Sequence, residues 1–413
     1  MMEQAGSDAV RALMARGVVV PSPCQVQVDA TVRPERIAPG VVLHPGVRLT
    51  GRDTSIGPGS QIGREGPAVL EDCQLGHDVS FGGGYASGSV LLDGAGMGAG
   101  AHLRPGTLLE EQASGAHTVG LKQTILLSYV TLGSLVNFCD VLMAGGTSRR
   151  HHSEVGSSYV HFNFTPHGDK ATASLVGDVP GGVLLDQAPI FLGGQGGLVG
   201  PARIAYGVTL AAGAVRRKDA LAADHLYLGD APKKTSKPAA YPRGRYGLME
   251  RLVLNNLRYI GNIQALRLWY RTARPRTLDG DPFRAACRAG ALVQLDAVWA
   301  ERVKRLDELV GKLDASIALL ERDEDAVRVA ESLRQQRFVR EQWPRWRDGL
   351  QQEPDETTAA AERDRFLAEW EAPSAAGHTE AVAGLSAGAK ASVRTWLQAV
   401  VDAHVALWPA PEM

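Results

Sequence analysis

The densest group of side chains that could carry out chemistry lies in the stretch from Arg149 to Lys170, which reads "RRHHSEVGSSYVHFNFTPHGDK". Histidine titrates near neutral pH, so it can accept a proton from an amine nucleophile without strong tuning of its pKa. His152 and His161 are therefore candidate general bases. The stretch as a whole predicts part of a ligand-binding site, and the alternative is a set of loop residues that bind an anion or are simply solvated.

The elements that position these side chains are indicated by apolar residues that recur every six positions between about residues 37 and 215. The runs are Ile37, Leu43 and Leu49; Ile56 and Ile62; Val69, Leu75 and Phe81; Met97, Leu103 and Leu109; and Leu198, Ile204 and Leu210. A period of six matches neither a helix nor a continuous two-residue alternation. It is typical of hexapeptide repeats, each a short strand and a turn, which stack as a parallel β-helix with the aliphatic residues pointing inward.

Glycine follows the aliphatic residue of many repeats, where a side chain would crowd a tight bend. These positions are Gly57, Gly63, Gly76, Gly98, Gly133 and Gly156. The repeat is irregular between about residues 64 and 95, and we expect "FGGGYASGSVLL" to loop out of one coil. Such a loop is either a surface excursion or a lid.

Composition divides the chain into four parts. Residues 1–20 predict a short helix and a lead-in, and residues 21–227 predict the β-helix. Residues 228–247 are rich in Pro and Lys and predict a linker. Residues 248–413 are poorer in glycine and predict a helical domain, with Leu295, Trp299 and Val303 on one helix face. The fold class is therefore mainly β followed by α.

Charge and cysteine content narrow the function. The formal charge of −1 does not call for nucleic acid or a membrane surface. Four cysteines form no CxxC pair, which argues against a zinc knuckle and suggests a reducing compartment. No signal-peptide pattern and no run of about 18 apolar residues is present, so we expect a cytoplasmic protein.

The segment "GAGMGAGAHLRPGTLLEEQASGAHTVG" resembles the left-handed β-helix acetyltransferase domain of the bifunctional N-acetylglucosamine-1-phosphate uridylyltransferase/glucosamine-1-phosphate acetyltransferase family. That family carries "G-x-x-A-x-L-R-P-G" and then "G-A-H-x-G", which fall here on Ala101–Gly106 and Gly115–Gly120. Its "N-Y-D-G" loop, lysine and "T-I-I-G-D" coil correspond to "NFTPHGDKATASLVGD", from Asn163 to Asp178. The likeness covers about residues 95–215 and implies a left-handed solenoid.

The resemblance also implies site residues. Arg104 stands where the family holds the phosphate of an amino sugar, and Lys122 lies near a family lysine. Asn163 and Lys170 carry over as sugar contacts. Phe164 replaces the family tyrosine, keeping the stacking face without the hydroxyl. Arginine suits phosphate because its planar fork meets two oxygens.

Two departures limit what carries over from the family. No Gly-rich phosphate loop opens a nucleotidyltransferase domain, so pyrophosphorylase chemistry is not supported. The catalytic histidine of the family falls on Asp140 in "CDVLMAGG". Asp140, His152 and His161 are therefore the candidates for the base.

The resemblance implies acetyl-CoA as acyl donor, an amino-sugar phosphate or a nucleotide-sugar related to UDP-N-acetylglucosamine as acceptor, and a homotrimer. One alternative is a non-catalytic sugar-nucleotide binder or scaffold, which the Asp140 departure and the large helical domain favour. The other is a zinc-dependent hydratase of the β-helix carbonic anhydrase type, for which His102, His117 and His152 are imperfect ligands. We expect no metal.

Overall fold

The computed structural model describes residues 7–229, 241–352, 357–370 and 377–409. The first of these ranges is a parallel β-solenoid, and the ranges beyond residue 241 are helical, so the predicted fold class is confirmed. The predicted left-handedness of the solenoid stays a prediction.

One face of the solenoid is a ten-stranded parallel sheet. Its strands are Val42–Leu43, Gln61–Ile62, Ser80–Phe81, Gly96–Met97, Ser114–Gly115, Thr131–Leu132, Glu154–Val155, Phe191–Leu192, Thr209–Leu210 and Leu226–Tyr227. Each strand pairs with the equivalent strand of the next turn, which is the arrangement that a stacked hexapeptide repeat requires.

The other two faces form one 16-stranded sheet. Strands of the first face are Gln27–Val28, Arg48–Thr50, Ala68–Glu71, Gly84–Ser87, Ala101–Leu103, Val160–Phe162, Gly197–Val199 and Val215–Arg216. Strands of the second are Ser55–Ile56, Gln74–Leu75, Ser89–Leu91, Thr107–Leu109, Ser174–Val176 and Arg203–Ile204. Two longer strands, Gly120–Leu126 and Asn137–Met143, run through the corner and join the two faces.

The inward-facing residues make the core of the solenoid. Leu103, Leu121 and Phe138 stack in successive turns and are at most 1% exposed. The residues predicted to point inward are buried, with one exception. The prediction for Val69 is wrong, because alternation in Ala68–Glu71 turns Ala68 and Leu70 inward and leaves Val69 on the outer side.

The predicted loop at "FGGGYASGSVLL" is also wrong. The stretch forms the strands Gly84–Ser87 and Ser89–Leu91 and stays in the stack. A Cβ on Gly83 would lie 2.8 Å from the carbonyl oxygen of Gly66, and one on Gly84 would lie 2.1 Å from that of Ala101. The glycines therefore allow close contact between turns, and they do not mark an excursion.

Ten helices occur in the described residues. They are α1 (Asp8–Ala15), α2 (Val179–Gly182), α3 (Glu250–Thr272), α4 (Pro275–Leu278), α5 (Pro282–Val310), α6 (Leu313–Glu321), α7 (Ala326–Gln351), α8 (Ala360–Glu369), α9 (His378–Ala383) and α10 (Ala387–Val405). Short 3-10 turns cover Pro23–Gln25 and Pro34–Arg36, and an antiparallel hairpin pairs Gly146–Ser148 with His151–His152. In the part of the chain that the structure describes, no helix combines the length and the apolar character needed to cross a bilayer.

The helices α3 and α5 pack on the second face of the 16-stranded sheet, and α10 packs on α3. An outward row of that face is entirely apolar and at most 3% exposed: Val90, Leu108, Ile125, Leu142 and Leu175. These side chains share one hydrophobic cluster with Trp269 of α3, Leu295 of α5 and Trp396 of α10. The helical region and the solenoid therefore share a core.

Helix α5 runs along the stacking direction of the solenoid, and residues along its length contact successive parts of the stack. Gly290 packs so closely against Gln74 that a Cβ would lie 2.0 Å from its Oε1. Gln294 accepts a hydrogen bond from the backbone N–H of Gly106 at 2.8 Å. Arg302 pairs with Asp140. This packing brings the C-terminal half of α5 to one corner of the solenoid.

The predicted linker lies partly outside the described residues, since the structure describes none of 230–240. From Tyr241 the chain packs on the solenoid. Gly244 donates its backbone N–H to Nδ1 of His167 at 3.1 Å, and the Tyr246 hydroxyl donates to Asp169 at 3.0 Å. This part of the segment therefore holds the loop after Asn163 in place.

Candidate functional site

The candidate site lies at the corner where the chain turns between the two faces of the 16-stranded sheet. Gly106, Gln123 and Asp140 occupy this corner in successive turns with φ values of 83°, 51° and 64°. Aspartate adopts this left-handed conformation more readily than most residues, because its short polar side chain can hydrogen-bond locally. Just before the corner, Lys122 pairs in register with Cys139, and the N–H of Arg104 donates to Leu121. Three polar side chains thus project from neighbouring turns.

A pocket of about 130 Å³ opens at this corner. It is lined by Arg104, Lys122, Cys139, Asp140, Asn163, Lys170 and Glu301. The structure therefore brings together five of the residues that the sequence analysis proposed. Cys139 and Glu301 are additional.

Asp140 is held on both of its carboxylate oxygens. Oδ1 lies 2.7 Å from Nη2 of Arg302, and Oδ2 accepts a hydrogen bond from Nδ2 of Asn163 at 2.8 Å. Asp140 is 4% exposed and Arg302 is 1% exposed. A carboxylate that is paired in this way is committed to the structure of the pocket, which disfavours it as a free proton acceptor.

His161 points inward, in register with Phe138 and Leu198, and is 3% exposed. Its Nδ1 lies 2.6 Å from the carbonyl oxygen of Cys139, so Nδ1 donates. Its Nε2 therefore accepts from the hydroxyl of Ser174 at 2.8 Å. Burial lowers the pKa of His161 to about 4, against the opposing effect of Asp140. His161 is a neutral residue whose two nitrogens are already used, and it does not line the pocket.

The remaining two candidates lie elsewhere. His152 is on the antiparallel hairpin, outside the pocket lining, with its Nδ1 buried and without a hydrogen-bond partner. Phe164 is 61% exposed and also does not line the pocket. A role for either residue in ligand binding stays a prediction.

The pocket has a cationic wall. Arg104 is exposed, with Nη2 at 3.8 Å from Sγ of Cys139. Lys122 and Lys170 have no carboxylate within salt-bridge distance among the described residues. Burial, and then the charge of Asp140, raise the pKa of the Cys139 thiol, which is therefore protonated at neutral pH. An anionic group would meet three positive charges here.

The loop that carries Asn163 and Lys170 is fastened at several points. The Thr172 hydroxyl donates to the carbonyl oxygen of Asn163 at 2.8 Å, and Arg302 donates to that of Lys170 at 3.3 Å. Nζ of Lys312 donates to the carbonyl oxygen of Gly168 at 2.6 Å. The pocket wall is therefore positioned by contacts from both the solenoid and the helices.

Sequence reasoning missed the contribution of α5, namely Glu301 and Arg302. One signal was present. Arg302 lies four residues after Val298 and four before Leu306, so a charged residue interrupts an apolar helix face. A buried arginine at such a position needs a carboxylate partner, and Asp140 is that partner.

Among the residues in the described ranges, no three His, Cys, Asp or Glu side chains lie close enough together to hold a metal ion. His102, His117 and His152 are thus not brought together. His102 packs against Tyr85 with ring centroids 5.4 Å apart, and His117 contacts Thr118.

The fold and the pocket place the chain among the hexapeptide-repeat β-solenoid proteins. Comparison with known proteins shows which of these proteins it is similar to. No protein-family model matches the chain. The chain is similar to "Bifunctional protein GlmU" of Thermotoga petrophila, with 26% identity over 217 residues, which are 52% of this chain and 43% of the relative. The proteins of the same name from Kineococcus radiotolerans and Nocardia farcinica are 27% and 29% identical over 56% and 50% of this chain, and 42% and 37% of their own lengths.

These similarities confirm the resemblance to the bifunctional uridylyltransferase/acetyltransferase family that the repeat motifs indicated. The chain spans less than half the length of the curated relatives it matches. The activity of these relatives therefore does not transfer directly to this chain, and its function is proposed below.

Proposed function

We propose that this protein is an acyltransferase-like protein whose corner pocket binds an amino-sugar phosphate or a nucleotide-sugar. The observation that carries the proposal is the convergence of Arg104, Lys122 and Lys170 beside Asn163 in one pocket. Three cationic groups suit a phosphate, and the amide of Asn163 suits a sugar hydroxyl.

Binding to the full-length protein tests this function. Calorimetry with glucosamine 1-phosphate and with UDP-N-acetylglucosamine should show saturable binding of at least one of them. Arg104→Ala should weaken that binding by roughly tenfold to a hundredfold, because a charge-assisted hydrogen bond to phosphate is lost. The control is Arg48→Ala, which removes an exposed arginine on the same face outside the pocket. No binding of either ligand, or equal binding by both variants, would contradict the proposal.

Acyl transfer from acetyl-CoA is a second candidate, favoured by the similarity to GlmU. In this reaction the amine nitrogen attacks the acetyl carbon, the C–N bond forms, the C–S bond breaks and the CoA thiol leaves. The amine must also lose a proton to a base. Asp140 and His161 are both occupied by other partners, so the geometry favours a binding role over a fast transfer. Release of CoA in the presence of glucosamine 1-phosphate would establish the transfer.

The homotrimer is also a proposal, and the resemblance to the family supports it. Helices α3 and α5 cover one face of the solenoid, so contacts between copies would use the remaining faces. Sedimentation of the 44.0 kDa chain measures the assembly directly, and a monomer mass would rule the trimer out.

A further inference from the structure

The pocket contains one carboxylate with an oxygen that no protein group uses among the described residues, and the helical region supplies it. Glu301 of α5 lines the pocket opposite the solenoid residues, and its side chain is 20% exposed. Nothing in the repeat pattern of the solenoid indicates this residue, because it comes from a helix more than 130 positions later in the chain than Lys170.

One oxygen of Glu301 is anchored and the other is available. Oε1 accepts a hydrogen bond from Nε of Arg305 at 2.8 Å and lies 2.6 Å from Nη2 of the same residue. It also lies 4.0 Å from Arg302. Oε2 has no hydrogen-bond partner among the described residues. The two carboxylates of the pocket therefore differ, since Asp140 uses both oxygens and Glu301 uses one.

The pocket thus offers cations from the solenoid and a free carboxylate oxygen from α5. A ligand that matches both carries an anion and a cation close together, because the pocket is only about 130 Å³. A phosphorylated amino sugar with a free amine has this arrangement when phosphate and ammonium are on neighbouring carbons. The same sugar without its amine, or with the amine acylated, cannot form the ion pair with a carboxylate.

We propose that Glu301 selects the free ammonium group of a phosphorylated amino sugar, and is the specificity-determining residue of the pocket. This inference rests on the proposed function and narrows its ligand to an amino-sugar phosphate with an unmodified amine. It also gives the helical region a function, since the ligand site is incomplete without α5.

Calorimetry of the full-length protein with matched ligands tests the inference, at a pH below the pKa of the amine. Glucosamine 1-phosphate should bind about tenfold more tightly than glucose 1-phosphate and N-acetylglucosamine 1-phosphate, because only the first forms a charge-assisted hydrogen bond with Glu301. Glu301→Gln should remove this preference, so that the affinities of the variant for the three sugar phosphates lie within about twofold of one another.

Helix α5 provides a matched control. Glu308 also pairs with Arg305, at 2.7 Å, but does not line the pocket. Glu308→Gln should keep the tenfold preference, which separates the effect of the pocket carboxylate from a loss of ion pairs around Arg305.

The outcomes distinguish the inference from the function on which it rests. If the three sugar phosphates bind equally and Arg104→Ala weakens all of them, the pocket binds phosphate and the role of Glu301 is wrong. If UDP-N-acetylglucosamine binds and none of the three sugar phosphates does, the inference is overturned and the proposed function stands. If none of the four ligands binds, the proposed function fails as well. If circular dichroism shows that Glu301→Gln is unfolded, the test rests on the unmodified protein alone. Equal affinities of that protein for glucosamine 1-phosphate and glucose 1-phosphate would then overturn the inference.

Discussion

His161 shows how one residue can look catalytic in a sequence and be structural in the fold. It lies in the polar stretch that carries Asn163 and Lys170, yet it occupies an inward position between Phe138 and Leu198. Its hydrogen bonds to Cys139 and Ser174 link the strand Asn137–Met143 to the strand Ser174–Val176 in the next turn. The identity of the residue was informative, but the side of the strand on which it lies decides its role.

The burial of His161 leads to a prediction for stability against pH. Its pKa is about 4 in the folded protein, whereas an unfolded histidine titrates near 6.5. Between these values the unfolded chain binds the extra proton, so the free energy of unfolding falls as the pH falls. This group should contribute a loss of about 2 kcal/mol between pH 7 and pH 5.

Urea unfolding of His161→Asn at both pH values checks this prediction. The variant should lose less stability on acidification than the unmodified protein. His378 is also buried, which lowers its pKa to about 3, so part of the pH dependence should remain in the variant. An identical pH dependence of the two proteins would show that His161 does not titrate in this way.

At the scale of the elements, the buried pair of Asp140 and Arg302 joins the solenoid corner to α5. Removing one partner leaves the other charge buried without compensation, so Asp140→Ala should lower the free energy of unfolding by about 3–5 kcal/mol. Chemical denaturation measures the change. Asp314→Ala is the control, since its exposed pair with Arg340 should contribute less than about 1 kcal/mol.

A double variant completes this test. Combining Asp140→Ala with Arg302→Met removes both charges, and the loss should be smaller than the sum of the two single losses. Strict additivity would mean that the two side chains do not interact.

The six-residue spacing predicted the stacked strands because each inward position must be aliphatic in a core this narrow. The corner pocket was also largely predictable, since the resemblance to the family's motifs had singled out Arg104, Lys122, Asn163 and Lys170, which line it. The outward row from Val90 to Leu175 was missed, although adjacent apolar pairs such as Leu108–Leu109 and Ile125–Leu126 indicate burial on both sides of a strand. The contribution of Glu301 depends on how α5 packs, which local sequence does not encode.

For the whole molecule, the shared core predicts cooperative unfolding. The outward row of the solenoid is covered by α3 and α5, with α10 packed behind them in the same hydrophobic cluster. Unfolding of either part would expose the apolar surface that it shares with the other, so we expect one calorimetric transition. Two well-separated transitions in differential scanning calorimetry would show that the helical region and the solenoid are stable independently.

The alignment of α5 with the stacking direction of the solenoid has a consequence for how this protein can change in evolution. Each turn of the solenoid advances by about 4.8 Å, while a helix rises about 1.5 Å per residue. Inserting a turn between Gly106 and Asp140 would therefore carry Asp140 beyond the reach of Arg302 unless α5 gained about three or four residues at the same time. Homologues that keep the pocket should show compensating insertions in these two distant segments, and their lengths should vary together.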